Sequence, residues 1–476
     1  MKYLNEKSTI IIIILVAFIS ISSPILIRAF NNQPTLIQDQ AYNDVRLANI
    51  ISEKGIPKID RLSYSGRDYI FSPYQLIISS VPFINPEKTA IILSAISGIL
   101  SALLFFLILK EIGVNLEKRR WIMFVLLVSP AFIYSFSVPN KFSISILILL
   151  IGIYFLMKEN MVLAAIILSI SCFFSIFNVM LSLILLIDRY LKKRQKDLIP
   201  AIVLVIITFM SYYAPFFISR GISEKIGFVK INMIHQLIAG LGSPVGFSIF
   251  AVLLSLIGFL ITWEYKRELL FAYAAALMLI TISSYSPNPN IYLNFIVCAF
   301  AGIAFGDIIK RRWEIKFIMN LTILALVCGL LFSCISYTNR LVSMQPDKNI
   351  KSSLEWLGSY SDPNEVVFSH YSKGSFIEYW AELPVVMDSA FEYAPDPNQR
   401  YKDSNDIFHS RNLETTKELL KKYNVKYIWV DPDMKSSLVW DEPERGLLFL
   451  IRNKETFRSI YNKEGIEIWE VMEPKV

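Results

Sequence analysis

Apolar runs long enough to cross a bilayer recur along this chain as far as Ile335, and they constrain its fold more than any motif does. Hydrocarbon offers backbone amides no partners, so a run of roughly 20 apolar residues must close its hydrogen bonds within itself, as a helix. Such runs lie near Thr9 to Ile27, Ala90 to Leu109, Trp121 to Val138, Phe142 to Leu156, Met161 to Phe174, Phe177 to Ile187, Pro200 to Ile218, Val245 to Trp263, Leu269 to Tyr285, Ile291 to Ile308 and Phe317 to Ile335. These predict about eleven transmembrane helices. Composition agrees: of 476 residues 54% are hydrophobic and 18% charged, with a mean hydropathy of +0.47. Residues 1–336 therefore read as a polytopic α-helical membrane domain whose long first loop spans 28–88. From Tyr337 the chain turns rich in Asp, Glu, Lys, Asn and Pro. Residues 337–476, roughly 140 of them, can bury a core of their own and read as a soluble extracytoplasmic α/β domain.

Charge orients the spans, because Lys and Arg accumulate in short cytoplasmic loops. Lys2 and Lys7 precede the first span; Lys110, Lys118, Arg119 and Arg120 follow the second; Arg189, Lys192, Lys193, Arg194 and Lys196 form the densest cluster. Lys266 with Arg267, and Lys310 with Arg311 and Arg312, continue the series. All fall on one side if Met161 to Ile187 is a hairpin broken near Ser175 to Asn178. The expectation is a multi-pass cell-membrane protein with a cytoplasmic N-terminus and an extracytoplasmic C-terminal domain. The first span lacks a small-residue cleavage site and reads as an uncleaved anchor.

Several function classes are excluded early. The four cysteines, Cys172, Cys298, Cys328 and Cys334, all lie in apolar runs, so neither a disulfide scaffold nor a thiolate metal cluster is indicated. Three histidines without HExxH spacing make a zinc site of the usual kinds improbable. The formal charge of +7 is explained by basic cytoplasmic loops and calls for no nucleic acid. Transporters commonly carry mid-membrane charges and internal repeats, and neither is evident.

The loop from Leu36 to Pro86 is unusually long and polar for a chain of short connections, and long loops in compact architectures are usually functional. Tyr42 to Ser52 has helical character and Gly55-Ile56-Pro57 ends it. Asp39 sits just ahead, where a helix N-terminus favours the ionised carboxylate. A carboxylate just outside the bilayer is suited to take the proton of an attacking hydroxyl; its other reading is a helix cap.

In order, this loop carries Asp39, Tyr42, Arg46, Gly55 with Pro57, Asp60, Ser63 with Tyr64, and Phe71 with Pro73. That series resembles the first external loop of the GT-C glycosyltransferases, especially the catalytic subunit of oligosaccharyltransferase and its archaeal relatives. Leu354 to Leu357, Glu365 to Ser369 and Ile377 to Asp388 resemble the same family's external domain, so the likeness covers both ends of the chain. It implies a GT-C-like fold, Asp39 as the catalytic aspartate, and inverting transfer of a sugar from a polyprenyl- or dolichyl-phosphate-linked donor. The acceptor it implies is a glycan, lipid or protein on the outer face.

Two departures qualify the resemblance. Where the family reads a glycosylation sequon with Trp-Trp-Asp-Tyr-Gly, this chain has His370-Tyr371-Ser372-Lys373-Gly374, and only the glycine is shared. His370 and Lys373, read as exposed loop residues, are candidates to contact a different acceptor or a phosphate. Where the family places further metal-binding carboxylates, Ser135 to Ser143 contains no acid. A hard divalent cation wants several oxygen ligands, so no metal or other cofactor is expected, although a divalent cation stays open. Lys141 stands where the acids are missing. Lys141, with Arg46 or Arg67, is the candidate phosphate clamp, and Asp60 a further substrate-binding candidate; the other reading of Lys141 is a lysine snorkelling to the interface. The loop from Ser219 to Pro244, with Arg220, Lys225 and Lys230, is a candidate cover for the lipid carrier; its Glu224 is an acid of the kind a metal would take but matches no family motif and is left unassigned. A second reading of the whole chain is a non-catalytic GT-C-like scaffold or assembly factor of envelope glycan synthesis.

Overall fold

The computed structural model describes residues 5–64, 66–194, 197–220, 233–390, 394–442 and 444–472. The chain divides into two compact units. One is built mainly from Met1–Arg28, Lys88–Ile222 and Phe228–Ser343, the other mainly from Ala29–Glu87 and Met344–Val476.

The first unit is helical, and each apolar run read from the sequence coincides with helix. Four segments, Glu6–Phe30, Pro86–Glu111, Pro289–Lys310 and Lys316–Tyr360, contain helix long and apolar enough to span a membrane unaided. The run from Trp121 to Val138, expected as one span, is two helices, Leu116–Leu127 and Pro130–Ser137, bent by 63°. Pro130 is the cause: it has no N–H to continue the ladder and its ring crowds the preceding turn. Ser129, at the bend, donates to Asn294 Oδ1 at 2.7 Å. The break expected near Ser175 to Asn178 is also present, between helices Met161–Cys172 and Ile176–Lys193, where Ser175 Oγ accepts from the Phe177 N–H. Helix Pro289–Lys310 packs against both Ile249–Thr262 and Leu116–Leu127. At Gly302 a Cβ would lie 2.3 Å from the Ile122 Cα, a backbone approach that only a missing side chain permits.

Ion pairs draw the basic turns of this unit onto one face. Lys110 and Arg119 reach Glu6, Lys118 reaches Asp307, Lys310 reaches Glu117, Lys158 reaches Glu111 and Lys193 reaches Glu159. Lys192 donates to the Glu268 carbonyl at 2.6 Å, which adds the turn carrying Lys266 and Arg267. The final helix of the unit, Lys316–Ser343, runs past the boundary expected at Tyr337, because Tyr337 and Leu341 are buried and extend its packed side.

The second unit combines helices with a four-stranded sheet. Its strands are β3 (Val366–Phe368), β4 (Val425–Val430), β5 (Phe457–Lys463) and β6 (Ile466–Val471), while β1 (Ile59–Asp60) and β2 (Arg67–Asp68) pair separately. Spatial order is β3-β4-β6-β5, with β3 and β4 parallel and the other pairs antiparallel. The β5–β6 hairpin turns through Glu464 and Gly465, both at positive φ (51° and 78°), as two-residue hairpin loops require. Phe368, Ile428, Met434, Trp440 and Phe457 centre the core.

The first loop belongs to this unit. The Tyr64 N–H donates to the Val385 carbonyl at 3.2 Å and the Val385 N–H to the Leu62 carbonyl at 2.9 Å. Val385 also bridges to Val367 of β3, so the loop extends the edge of the C-terminal sheet.

Candidate active site

Asp39 opens helix Asp39–Lys54, which packs against helix Gly374–Trp380. Tyr42 centres the contact, with its ring 5.1 Å from Phe376, 5.1 Å from Tyr379 and 4.7 Å from Trp380. Packed aromatic rings fix the two helices to one another, and with them the first residue of one helix against the second residue of the other. Asp39 Oδ1 accepts the Ser375 N–H at 3.0 Å. It does not cap its own helix: Gln38 holds the N-cap position, with φ at 71° and no side-chain capping bond.

The remaining oxygen, Asp39 Oδ2, is buried and has no hydrogen-bond partner among the described residues. Two nearby hydroxyls, Ser375 Oγ and Ser389 Oγ, share that condition. Burial is the main cause that raises the Asp39 carboxyl to about 7, Asp388's charge adds to it, and the Ser389 and Ser375 dipoles pull the other way. The helix N-terminus expected to favour ionisation is outweighed, since desolvation penalises the charged form more than the dipole rewards it. A carboxyl with a free oxygen and a midpoint near neutrality is poised to accept a proton at physiological pH.

Asp39 lines a cleft of about 370 Å³ together with Gln38, Gln345, Ser372, Lys373 and Ser389. Lys373 is not the exposed loop residue expected from sequence. It is 4% exposed, its Nζ lies 2.8 Å from Asp431 Oδ2, and it also binds the Gln345 side chain. A buried ammonium needs such partners, and Asp431 at the end of β4 supplies the charge. His370 lies beside it, bonded through Nδ1 to Ser372 Oγ at 2.8 Å. Burial, and then the charge of Lys373, push the His370 imidazole down to about 4, so it is neutral at pH 7.

Arg46, Asp60 and Arg67 meet in a buried cluster rather than at a ligand surface. Arg46 makes a bidentate pair with Asp60, at 2.8 and 2.6 Å, and its Nη2 lies 2.9 Å from Glu378 Oε2. Arg67 is 3.2 Å from both Asp60 Oδ2 and Asp388 Oδ2. Ser63 Oγ is 2.7 Å from Glu378 Oε1 and 2.8 Å from Asp388 Oδ2, and Tyr64 donates to Asp388 Oδ1 at 2.8 Å. Burial works to raise Asp60, but Arg46, Arg67 and Ser63 outweigh it and hold the carboxyl down at about 2. Both guanidiniums are desolvated and matched by carboxylates, which corrects the expectation that either contacts a lipid phosphate. Glu378 and Asp388 belong to this cluster although composition assigns them no role; the signal was Glu378 inside, and Asp388 at the end of, the largely apolar stretch from Phe376 to Asp388, which also carries Glu382.

Lys141 lies in the helical unit, first in helix Lys141–Met157 and exposed, with its Nζ 5.7 Å from the Phe142 ring and no ion pair among the described residues. Glu224, Lys225, Lys230 and the side chain of Arg220 lie outside the described residues.

Gly374, the residue shared with the sequon-reading motif, has a packing reason to be glycine. A Cβ there would sit 2.4 Å from the Met387 carbonyl oxygen and 2.7 Å from the Asp388 Cα. Gly374→Ala must push helix Gly374–Trp380 off this segment and carry the Ser375 N–H away from Asp39. The expected result is a loss of about 1 to 3 kcal/mol in stability, read as a lower apparent Tm, with transfer activity falling as well.

Comparison with known proteins supports the fold alone. No protein-family model matches the chain, and no curated protein does. Among solved structures, the Archaeoglobus fulgidus oligosaccharyltransferase in its apo form matches with a TM-score of 0.65 at 13% identity, over 99% of this chain and 75% of that one. The archaeal oligosaccharyltransferase AglB of the same organism, in complex with an inhibitory peptide and a dolichol-phosphate, gives 0.62 at 13%, over 98% and 74%. ArnT from Cupriavidus metallidurans in the apo state gives 0.58 at 9%, over 97% and 96%. The chain has a GT-C-like fold.

An A. fulgidus oligosaccharyltransferase structure is a complex with zinc and sulfate. Among the described residues no group of three or more His, Cys, Asp or Glu side chains is arranged to hold a metal ion. Asp388, the carboxylate that acts on Asp39, is spent on Arg67, Ser63 and Tyr64, and Lys373 brings a cation to the cleft. These residues do not fit a hard divalent cation, which takes six or more oxygen ligands.

Proposed function

We propose that this protein is an inverting membrane glycosyltransferase that moves a sugar from a polyprenyl- or dolichyl-phosphate-linked donor to a hydroxyl of a glycan, lipid or protein acceptor on the outer face of the membrane. The observation that carries the reading is the carboxyl of Asp39, a residue that lines a cleft and whose Oδ2 is buried without a hydrogen-bond partner among the described residues. Two proteins of similar fold were solved with a lipid phosphate, AglB with a dolichol-phosphate and ArnT with undecaprenyl phosphate, which favours that class of donor.

The acceptor oxygen attacks the anomeric carbon while its proton passes to Asp39 Oδ2. The bond from that carbon to the phosphate oxygen breaks with its electron pair, releasing the lipid phosphate, and one in-line displacement inverts the anomeric centre. Ser375 holds Oδ1, which leaves Oδ2 as the oxygen that takes the proton. Charge developing on the departing phosphate needs a fixed cation or aimed donors. With Arg46, Arg67 and Lys373 each matched by carboxylates, that role falls to Lys141, and the reaction proceeds without a divalent metal.

The test is transfer of labelled sugar from polyprenyl-monophosphate and polyprenyl-diphosphate donors in membranes carrying the wild type or Lys141→Ala, each with and without a chelator. Transfer should survive chelation and fall by about 10² in Lys141→Ala. Chelator sensitivity would remove the metal-independent chemistry, and full activity in Lys141→Ala would remove the clamp. No transfer from any donor by well-expressed protein would leave the scaffold reading in its place.

A further inference from the structure

A second cleft, of about 330 Å³, opens in the helical unit on the face where the basic turns gather. It lies between the end of helix Ile176–Lys193 and the turn that joins helices Ile249–Thr262 and Leu270–Ser283. Its walls are apolar and open: Leu191 is 62% exposed, Trp263 48% and Leu270 46%. Three cations stand among them, Lys192, Lys266 and Arg267, against one carboxylate, Asp188.

The charges are not all satisfied internally. Lys192 pairs with Asp188 at 2.7 Å and so cancels the only acid of the lining. Lys266 has no carboxylate partner among the described residues and lies over the Trp263 ring, 5.2 Å from its centroid. Arg267 is exposed and makes no ion pair among the described residues. Glu264 and Glu268, the acids of the same turn, are outside the lining. Trp263 is held in place by Tyr273, with ring centroids 5.7 Å apart.

Apolar walls that continue onto lipid-facing helices, with uncompensated cations at the polar end, match an amphiphile with an anionic head. A soluble anion would gain nothing from Leu191 and Leu270, and an uncharged lipid nothing from Lys266 and Arg267. The volume is at the small end of ligand sites, and basic pockets between spanning helices take anionic headgroups. The indole marks the level where headgroup meets acyl chain. We propose that this cleft binds one anionic phospholipid, with its phosphate on Lys266 and Arg267 and its acyl chains along Leu191, Trp263 and Leu270. The site is independent of the Asp39 cleft and of any catalytic reading.

The full chain should be placed in nanodiscs of phosphatidylcholine with and without phosphatidylglycerol, and the lipid that stays bound on release should be counted by native mass spectrometry. Wild type should retain phosphatidylglycerol in preference to phosphatidylcholine. Lys266→Gln with Arg267→Gln, both exposed, should reduce that preference by on the order of tenfold. Leu191→Asp keeps every cation but spoils an apolar wall, and should also release the lipid. Soluble glycerol phosphate should fail to displace it. Equal retention of both lipids by the wild type, or undiminished retention by either variant, overturns the site; displacement by glycerol phosphate replaces it with a simple phosphate site.

Discussion

Replacing Asp39 with Asn is expected to lower sugar transfer by about 10² to 10⁴, and to remove the pH dependence that remains in the wild type. Asn keeps the shape of the side chain and an oxygen for the Ser375 N–H, so the loss reports the missing base and not a rearranged cleft. The wild-type rate requires the ionised carboxylate. With its midpoint raised to about 7, the rate should climb roughly tenfold per pH unit below neutrality and level off above it. Stability should move the opposite way. Burial raises the folded carboxyl above its ordinary value of 3.8, so the unfolded chain ionises first and the folded state is penalised. Relative to Asp39→Asn, the wild type should therefore lose stability from about pH 4 to about pH 7, with no further change above. The apparent Tm of Asp39→Asn should exceed that of the wild type at pH 8 by more than at pH 5. An Asn variant that transfers at the wild-type rate, or a profile that bends far from neutrality, would remove Asp39 as the base.

That pH behaviour is also where the sequence misled, since the position of Asp39 near a helix start argues for an ionised group. Its burial depends on Ser375 and Ser389, more than 330 residues further along. Hydropathy reports a local property, so the helices were legible. Turn chemistry is local too, as at Glu464 and Gly465 between β5 and β6. Partners distant in the chain were not legible. Nothing local to Lys373 announces Asp431, so a lysine among polar neighbours reads as exposed. Nothing local to Ser63 announces Val385, so the first loop reads as part of the membrane domain and not as an edge of the C-terminal sheet. Pro130 was the exception, because a proline inside an apolar run is a local reason for a bend, and it could have divided the third span in advance.

The buried cluster around Ser63 makes the second large prediction, and proton counting decides its form. Asp60, Glu378 and Asp388 face only two cations, Arg46 and Arg67. Ser63 has one proton, yet its oxygen lies within 3.1 Å of all three carboxylates. The arrangement balances if one acid is neutral, donates to Ser63 Oγ, and leaves the Ser63 proton for Asp388. Glu378 is that acid: burial first, then the charges of Asp388 and Asp60, raise it well above the ordinary range despite Arg46. Glu378→Gln should then be close to silent, because a carboxamide has the shape of the protonated acid and can donate to Ser63 Oγ in its place. Arg46→Ala should cost about 3 to 5 kcal/mol, since it strands Asp60 as a buried charge without its bidentate partner. Asp388→Ala should cost less, about 1 to 3 kcal/mol, because Arg67 keeps Asp60 at 3.2 Å while Ser63 and Tyr64 lose an acceptor. Arg46 also lies two turns beyond Asp39 on the same helix, so its loss loosens the element that presents the base. Thermal unfolding of the three variants, with limited proteolysis of residues 344–472, separates them. A silent Arg46→Ala would mean the cluster is surface decoration, and a destructive Glu378→Gln would mean that the proton resides on another carboxylate.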